Sequence, residues 1–164
     1  MPDQPTAGIA AAQVFRSPVL FLAFGFGAGL APRAPGTVGT LAAIPLYLAL
    51  SHFSLGVYLA LVIGISLAGI WICRRAAQRL GVHDHPGIVW DEFAGFLVTM
   101  IPAPVSWLWT LVGFGLFRLF DIWKPWPISW ADRHCKGGLG IMLDDLLAGS
   151  LAAVVLYFLV GFAP

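Results

Sequence analysis

The chain has 164 residues, of which 59% are hydrophobic and only 10% charged, against the roughly 25% charge usual for soluble domains. With a mean hydropathy of +0.87, lipid rather than water is the expected cover for its apolar faces, and the length suits one domain. A net charge of +1 carries no polyelectrolyte signal and argues against a nucleic-acid partner.

Residues 1–17 are polar and rich in Pro and Ala, with Arg16 near their end. They lack a continuous apolar core followed by a small-residue cleavage site, so a flexible tail is expected rather than a cleaved leader. Residues 18–164 are read as a single membrane domain. Its first segment, PVLFLAFGFGAGLA at 18–31, is apolar but short and glycine-rich, which suits a re-entrant or interfacial segment. In APRAPGTVGT the chain shows a helix start, with Thr37 or Thr40 as N-cap. The run 37–50 that follows contains Pro45, expected to kink it. After a turn at SHFS, residues 53–73 carry no charge and span roughly 30 Å as a helix, the thickness of a bilayer's hydrocarbon. Arg74, Arg75 and Arg79 follow at once and mark a cytoplasmic end. The two runs form a hairpin with Arg33 and Arg74 on one side.

Residues 92–120 would read as one long apolar stretch but for IPAPVSW, where Pro102 and Pro104 favour a turn. A second hairpin is predicted, returning to the basic side at Arg118 and Lys124. Residues 146–162 make a last crossing. No internal repeat is evident. The predicted fold is all-α: a multi-pass integral membrane bundle of helical hairpins plus a C-terminal transmembrane helix, with nearly all charge on one face.

Eight residues are acidic, and five of them are Asp91 and Glu92 in VHDHPGIVWDEFAG, Asp121 in FRLFDIWKPWP, and Asp144 and Asp145 in GGLGIMLDDLLAG. Asp91-Glu92 and Asp144-Asp145 are each expected to open a helix. The plainer reading is favourable charge at helix N-termini, which one acid per helix would satisfy. Two adjacent acids, twice, with a third position at Asp121, point instead to a hard divalent cation. Mg2+ takes a few carboxylates together with water and substrate phosphate oxygens, and it can activate water for attack on a phosphate monoester. No Cys/His cluster has zinc spacing. Asp121 lies three residues from both Arg118 and Lys124, spacings that share a helix face. The arrangement suits either an interfacial salt bridge with Lys124 snorkelling or a carboxylate beside phosphate-holding cations.

His83-Asp84-His85 is a polar loop that could supply a metal ligand or a general acid, or merely cap a turn. Backbone N–H groups at the Thr37 helix start, with Arg33 nearby, could hold phosphate; the neighbouring glycines equally suit close helix packing. Glycines before Asp144 fit either close approach to a ligand or a simple turn. Cys73 and Arg79 match the spacing of thiolate phosphatases, but RRAAQ between them is helical and cannot cradle phosphate. Both cysteines, Cys73 and Cys135, are read as free thiols. Trp90, Trp107, Trp123, Trp126 and Trp130 are read as interfacial belts.

Four stretches, GFGAGLAPRAPGTVGTLAAIP, GVHDHPGIVWDEFAG, FRLFDIWKPWPISWADR and GGLGIMLDDLLAG, follow one another in order between Gly25 and Gly149. In these the chain resembles the bacterial phosphatidylglycerophosphatase A family. The resemblance implies a Mg2+-dependent integral membrane lipid phosphatase that converts phosphatidylglycerophosphate to phosphatidylglycerol and phosphate. It implies a place in the bacterial cytoplasmic (inner) membrane, with the site facing the cytoplasm. The chain has no Ser-Gly-His and no Asp-x-Asp nucleophile motif, in keeping with a family distinct from those phosphatases.

The site residues expected are Asp91, Glu92, Asp121, Asp144 and Asp145 for Mg2+ and water. Arg33, Thr37, Arg118 and Lys124 are expected for phosphate, with His85 or His83 as general acid. The expected partners are the bilayer and a phospholipid substrate, and a homo-oligomer is left open. Two rivals remain at this point: a phosphatase of another lipid monoester such as phosphatidate, and a non-enzymatic divalent-cation transporter or structural bundle. Transport sites lie near the bilayer midplane, whereas these acids are expected at segment ends.

Overall fold

Prolines, serines and glycines set most of the helix boundaries. Ser17 caps the first turn that Pro18 opens, its Oγ accepting from the Leu20 N–H at 3.4 Å. Ser106 does the same for the Trp109 N–H at 3.3 Å, and Gly81 closes its helix at φ 67°, a conformation glycine adopts without steric cost. The computed structural model describes residues 10–162, and every regular element among them is helical. In chain order these are α1 (Ala11–Arg16), α2 (Pro18–Ala23), a 3-10 helix (Gly25–Leu30), α3 (Pro35–Leu50), α4 (Leu55–Leu80), α5 (Trp90–Thr99), α6 (Trp107–Trp123), α7 (Ile128–His134) and α8 (Gly137–Phe162).

Both predicted turns are present: residues 51–54 join α3 to α4, and residues 100–106 join α5 to α6. Two helices, α4 and α8, are long and apolar enough to cross a membrane; α3 is a shorter apolar helix. At 10 residues, α5 is about 15 Å long, half the hydrocarbon thickness, so the second hairpin has one short arm.

Several expectations need correction. Residues 11–16, assigned to a flexible tail, form α1, because Val14 is apolar and fully buried there; the rest of that tail, residues 1–9, lies outside the described residues. Neither Thr37 nor Thr40 caps α3. The helix begins one turn earlier at Pro35, whose fixed φ suits a first helical position, and Thr40 Oγ1 donates to the Gly36 carbonyl at 2.9 Å instead. Asp144 and Asp145 do not open the last helix: α8 starts at Gly137, about two turns earlier. Trp90 is not part of an interfacial belt. It is buried, with Nε1 donating to the Ile65 carbonyl at 3.2 Å, whereas Trp107, Trp123, Trp126 and Trp130 are exposed. Cys73 and Cys135 are free, as expected.

The core sits around α5. Phe93, Ala94, Gly95, Phe96 and Leu97 are all buried, as a helix that is apolar on every side must be. One side packs with Tyr47, Phe117, Ala148, Ala152 and Leu156 from α3, α6 and α8. The other packs with Leu20, Phe24, Ile72, Ala76 and Met142 from the N-terminal segment, α4 and α8. Glycines let α5 and α8 touch backbone to backbone. A Cβ on Gly149 would lie 2.2 Å from the Gly95 carbonyl oxygen, and one on Gly95 would lie 2.7 Å from that of Asp145. Thr99 Oγ1 locks the pair from one end, lying 3.0 Å from the Gly95 carbonyl and 3.4 Å from that of Gly149.

Candidate active site

The α5–α8 contact decides where the acids meet. Asp91 stands four residues before Gly95, and Asp145 four residues before Gly149, so each acid lies one helical turn before a contact glycine. Because the helices run side by side in the same direction, both acids reach the same level. The local sequences are Asp91-Glu-Phe-Ala-Gly95 and Asp145-Leu-Leu-Ala-Gly149, with Ala94 and Ala148 both fully buried. This Asp-x-x-Ala-Gly repetition was legible in the sequence and was missed. It explains why the acids sit inside α8: the glycine that permits contact fixes the depth of the acid.

Carboxylate oxygens of Asp91, Glu92 and Asp145 all lie within 4.8 Å of one another. Asp145 is 4% exposed. Asp121, from the last turn of α6, comes within side-chain hydrogen-bond reach of Asp145. Arg118, one turn earlier on α6, places Nη1 2.7 Å from Asp121 Oδ2 and 3.9 Å from Glu92 Oε1. Glu92 Oε2, Asp144 Oδ1 and Arg118 Nε are buried with no hydrogen-bond partner. A buried, unpaired carboxylate oxygen is costly, and oxygen-only donors from two helices suit a hard cation better than a soft one. Asp91, Glu92 and Asp145 thus form a candidate cation-binding group.

Lys124 ends α6 in the left-handed region at φ 47°. Its Nζ does not reach Asp121 along the helix face, as the spacing suggested. It pairs with Asp144 Oδ2 at 2.7 Å and with Asp132 Oδ1 from α7. Burial works against the Lys124 charge, but the bonds to Asp132 and Asp144 outweigh it and push the pKa above its ordinary value. Asp132 was missed in the sequence, where it stood at the end of the third stretch, eight residues from Lys124. Ala34, just before α3, is also left-handed at φ 46°. Such non-glycine conformations cost about 1–3 kcal/mol each and tend to gather at functional sites.

The start of α3 closes the site from a further side. A Cβ on Gly36 would lie 2.2 Å from Glu92 Oε1 and 3.2 Å from Arg118 Nη1. Thr37 follows directly, half-buried; Arg33 is exposed and forms no salt bridge among the described residues. The structure therefore brings together all five predicted acids, Arg118, Lys124 and the α3 helix start. It leaves Arg33 on the rim. His83 Nε2 accepts from the Gly137 N–H at 3.4 Å, at the beginning of α8. His85 Nδ1 accepts from the Gly87 N–H at 2.9 Å, and its ring sits 5.6 Å from that of Phe24. Burial lowers its pKa, against the opposing pull of Asp84.

Comparison with known proteins places the chain in a family. The family model for phosphatidylglycerophosphatase A matches residues 21–160. A phosphatidylglycerophosphatase A of Escherichia coli K12 is 47% identical over 145 residues, covering 87% of this chain and 84% of the relative. The enzyme of the same name from Haemophilus influenzae is 43% identical over 143 residues, covering 86% and 88%. A Bacteroides thetaiotaomicron relative, provisionally named a phosphatidylinositol-3-phosphatase, is 36% identical over 147 residues, covering 85% and 91%. No solved structure matches. The matched span takes in α3, α5, α6, α7 and the acid-bearing turns of α8, the elements that bring carboxylates and cations to the site, and the chain belongs to the phosphatidylglycerophosphatase A family.

Proposed function

We propose that this protein is a Mg2+-dependent phosphatase of the bacterial cytoplasmic membrane that hydrolyses phosphatidylglycerophosphate to phosphatidylglycerol and phosphate. The observation that carries the reading is the convergence of five carboxylates from three helices beside Arg118, Lys124 and the free N–H groups at the start of α3. The family supplies the substrate, and the site supplies the chemistry. Asp91, Glu92 and Asp145 would hold the cation, with Asp121 and Asp144 beside them. When bound, Mg2+ neutralises phosphate charge and lowers the pKa of a water molecule. Arg118 is already desolvated and only partly paired, so a phosphate oxygen entering beside it satisfies donors that are otherwise orphaned. Lys124 shields the mouth and can exchange its exposed partner Asp132 for phosphate, since exposed pairs are worth little. The first backbone N–H groups of α3 point positive charge density at the same place.

Charge distribution supports a location at a membrane surface. The acids lie near the α5 start and the α6 end, away from the 51–54 and 100–106 turns, and α4 and α8 supply membrane-crossing length. A lipid with its acyl chains in the bilayer and its terminal phosphate just outside would meet the site there. Asp121→Asn tests the assignment: the variant should remain folded in detergent and lose metal-dependent phosphate release from phosphatidylglycerophosphate. Near-normal turnover would remove Asp121 from the site.

A further inference from the structure

The basic end of α4 takes no part in the site. Arg74, Arg75 and Arg79 are exposed, and none forms a salt bridge among the described residues, where every ion pair involves Arg118 or Lys124. Arg79 is nonetheless held: its Nη1 donates to Ser17 Oγ at the α1–α2 junction. Arg75 is held differently, with its guanidinium carbon 5.9 Å from the Trp71 ring centroid, a cation–π distance. Two hollows flank Trp71. One of about 380 Å³ is lined by Val19, Trp71, Arg75, Gln78 and Arg79; the other, of about 260 Å³, is lined by Trp71, Arg74, Arg75 and Gln78.

The rungs below continue the row along the helix. Ile63, Leu67, Trp71, Arg75 and Arg79 follow one another at four-residue intervals; each step turns only about 40° around the helix, so neighbouring rungs stack while the row as a whole winds around it. Ile63, Leu67 and Trp71 are 59%, 63% and 54% exposed. The stripe is apolar for two rungs, aromatic at the third, and basic at the last two. An anionic phospholipid has the same order: acyl chain, glycerol backbone at the interface, phosphate in the headgroup.

We propose that this outer face of α4 is a binding site for an anionic phospholipid, separate from the acid cluster. The phosphate lies between Arg75 and Arg79, the glycerol region lies against Trp71, and an acyl chain lies along Leu67 and Ile63. The inference rests on the membrane reading given above but not on the phosphatase activity. A cationic site with no carboxylate partner selects anionic over zwitterionic headgroups, and each arginine near such a phosphate is worth about a fivefold change in binding.

Native mass spectrometry of the full chain in detergent, titrated with phosphatidylglycerol or with phosphatidylcholine, tests it. Phosphatidylglycerol should bind preferentially, and Arg75→Gln with Arg79→Gln should weaken it by roughly 25-fold. Arg75→Lys with Arg79→Lys, which keeps the charge and guards against a folding artefact, should retain most of the binding. In the same preparations, phosphate release from phosphatidylglycerophosphate in detergent should be unchanged by the Gln pair. Equal binding of the two lipids by wild-type protein, or undiminished phosphatidylglycerol binding by the Gln variant, would overturn the inference. Arginine-dependent lipid binding by a protein without phosphatase activity would leave it standing while the proposed reaction fell. A chain that stays monodisperse in water without detergent would remove the membrane reading, and the inference with it.

Discussion

Gly36→Ala separates catalytic geometry from folding. The new methyl carbon would lie 2.2 Å from Glu92 Oε1 and 3.2 and 3.3 Å from the two terminal nitrogens of Arg118. Restoring an ordinary carbon–oxygen contact requires the carboxylate to move by about 1 Å. Glu92 can make that move cheaply, because the atom struck is the end of a flexible side chain rather than backbone. Its donor oxygens then leave the group they form with Asp91 and Asp145, which spans only 4.8 Å. A misplacement of this size can cost about 100-fold in rate. The fold loses nothing, since alanine is preferred to glycine in a helix by up to about 1 kcal/mol. The assay is phosphate release from phosphatidylglycerophosphate over a Mg2+ titration, run beside thermal unfolding followed by circular dichroism. The expected result is a rate lower by about two orders of magnitude, a higher Mg2+ requirement and an unfolding temperature no lower than wild type. Wild-type rate with wild-type Mg2+ dependence would refute the placement of Glu92 in the cation group.

Two further predictions concern the surrounding structure. Gly149→Ala makes the same chemical change but strikes the Gly95 carbonyl oxygen at 2.2 Å and its carbon at 3.0 Å. Backbone cannot swing aside, so α5 and α8 must part; a loss of about 1–3 kcal/mol in stability is expected, read as a lower unfolding temperature together with lost activity, and an unchanged unfolding temperature would contradict it. For His85, a folded pKa below the ordinary value means the unfolded chain binds the proton more readily. Stability should therefore fall as pH drops below about 6.5 towards the lowered folded value, and no further below it. His85→Gln should remove that part of the pH dependence, seen by comparing unfolding temperatures of the two proteins from pH 7.5 to pH 5; identical slopes would count against a half-buried His85 whose pKa burial lowers.

Much of the architecture was legible because it is written in strong local signals. Uninterrupted apolar length predicted α4, the prolines of IPAPVSW predicted the α5–α6 turn, and the clustering of scarce acids predicted that Asp91, Glu92, Asp121, Asp144 and Asp145 lie together. What was misread depends on contacts between distant segments. Asp144 and Asp145 looked like a helix start because GGLG looks like a turn, yet Gly138 is helical and packed so tightly that a Cβ there would lie 2.0 Å from the Ile70 carbonyl. Trp90 resembles its four exposed counterparts in sequence and is distinguished by burial in the core and by the Ile65 carbonyl that takes its N–H. Asp132 acquires meaning only when α7 folds back towards Lys124. The start of α3 was placed a turn late because threonines suggest caps, whereas Pro35 after a left-handed Ala34 begins the helix without one.

The central claim is that this acid cluster removes phosphate from a lipid monoester with the help of a divalent cation. Its most direct test is phosphate release by the purified protein from phosphatidylglycerophosphate, from phosphatidate and from phosphatidylinositol 3-phosphate, each with Mg2+ and with EDTA. Selective release from phosphatidylglycerophosphate, abolished by EDTA and restored by Mg2+, is the predicted result. Release that EDTA leaves intact, or no release from any of the three by folded protein, would contradict it.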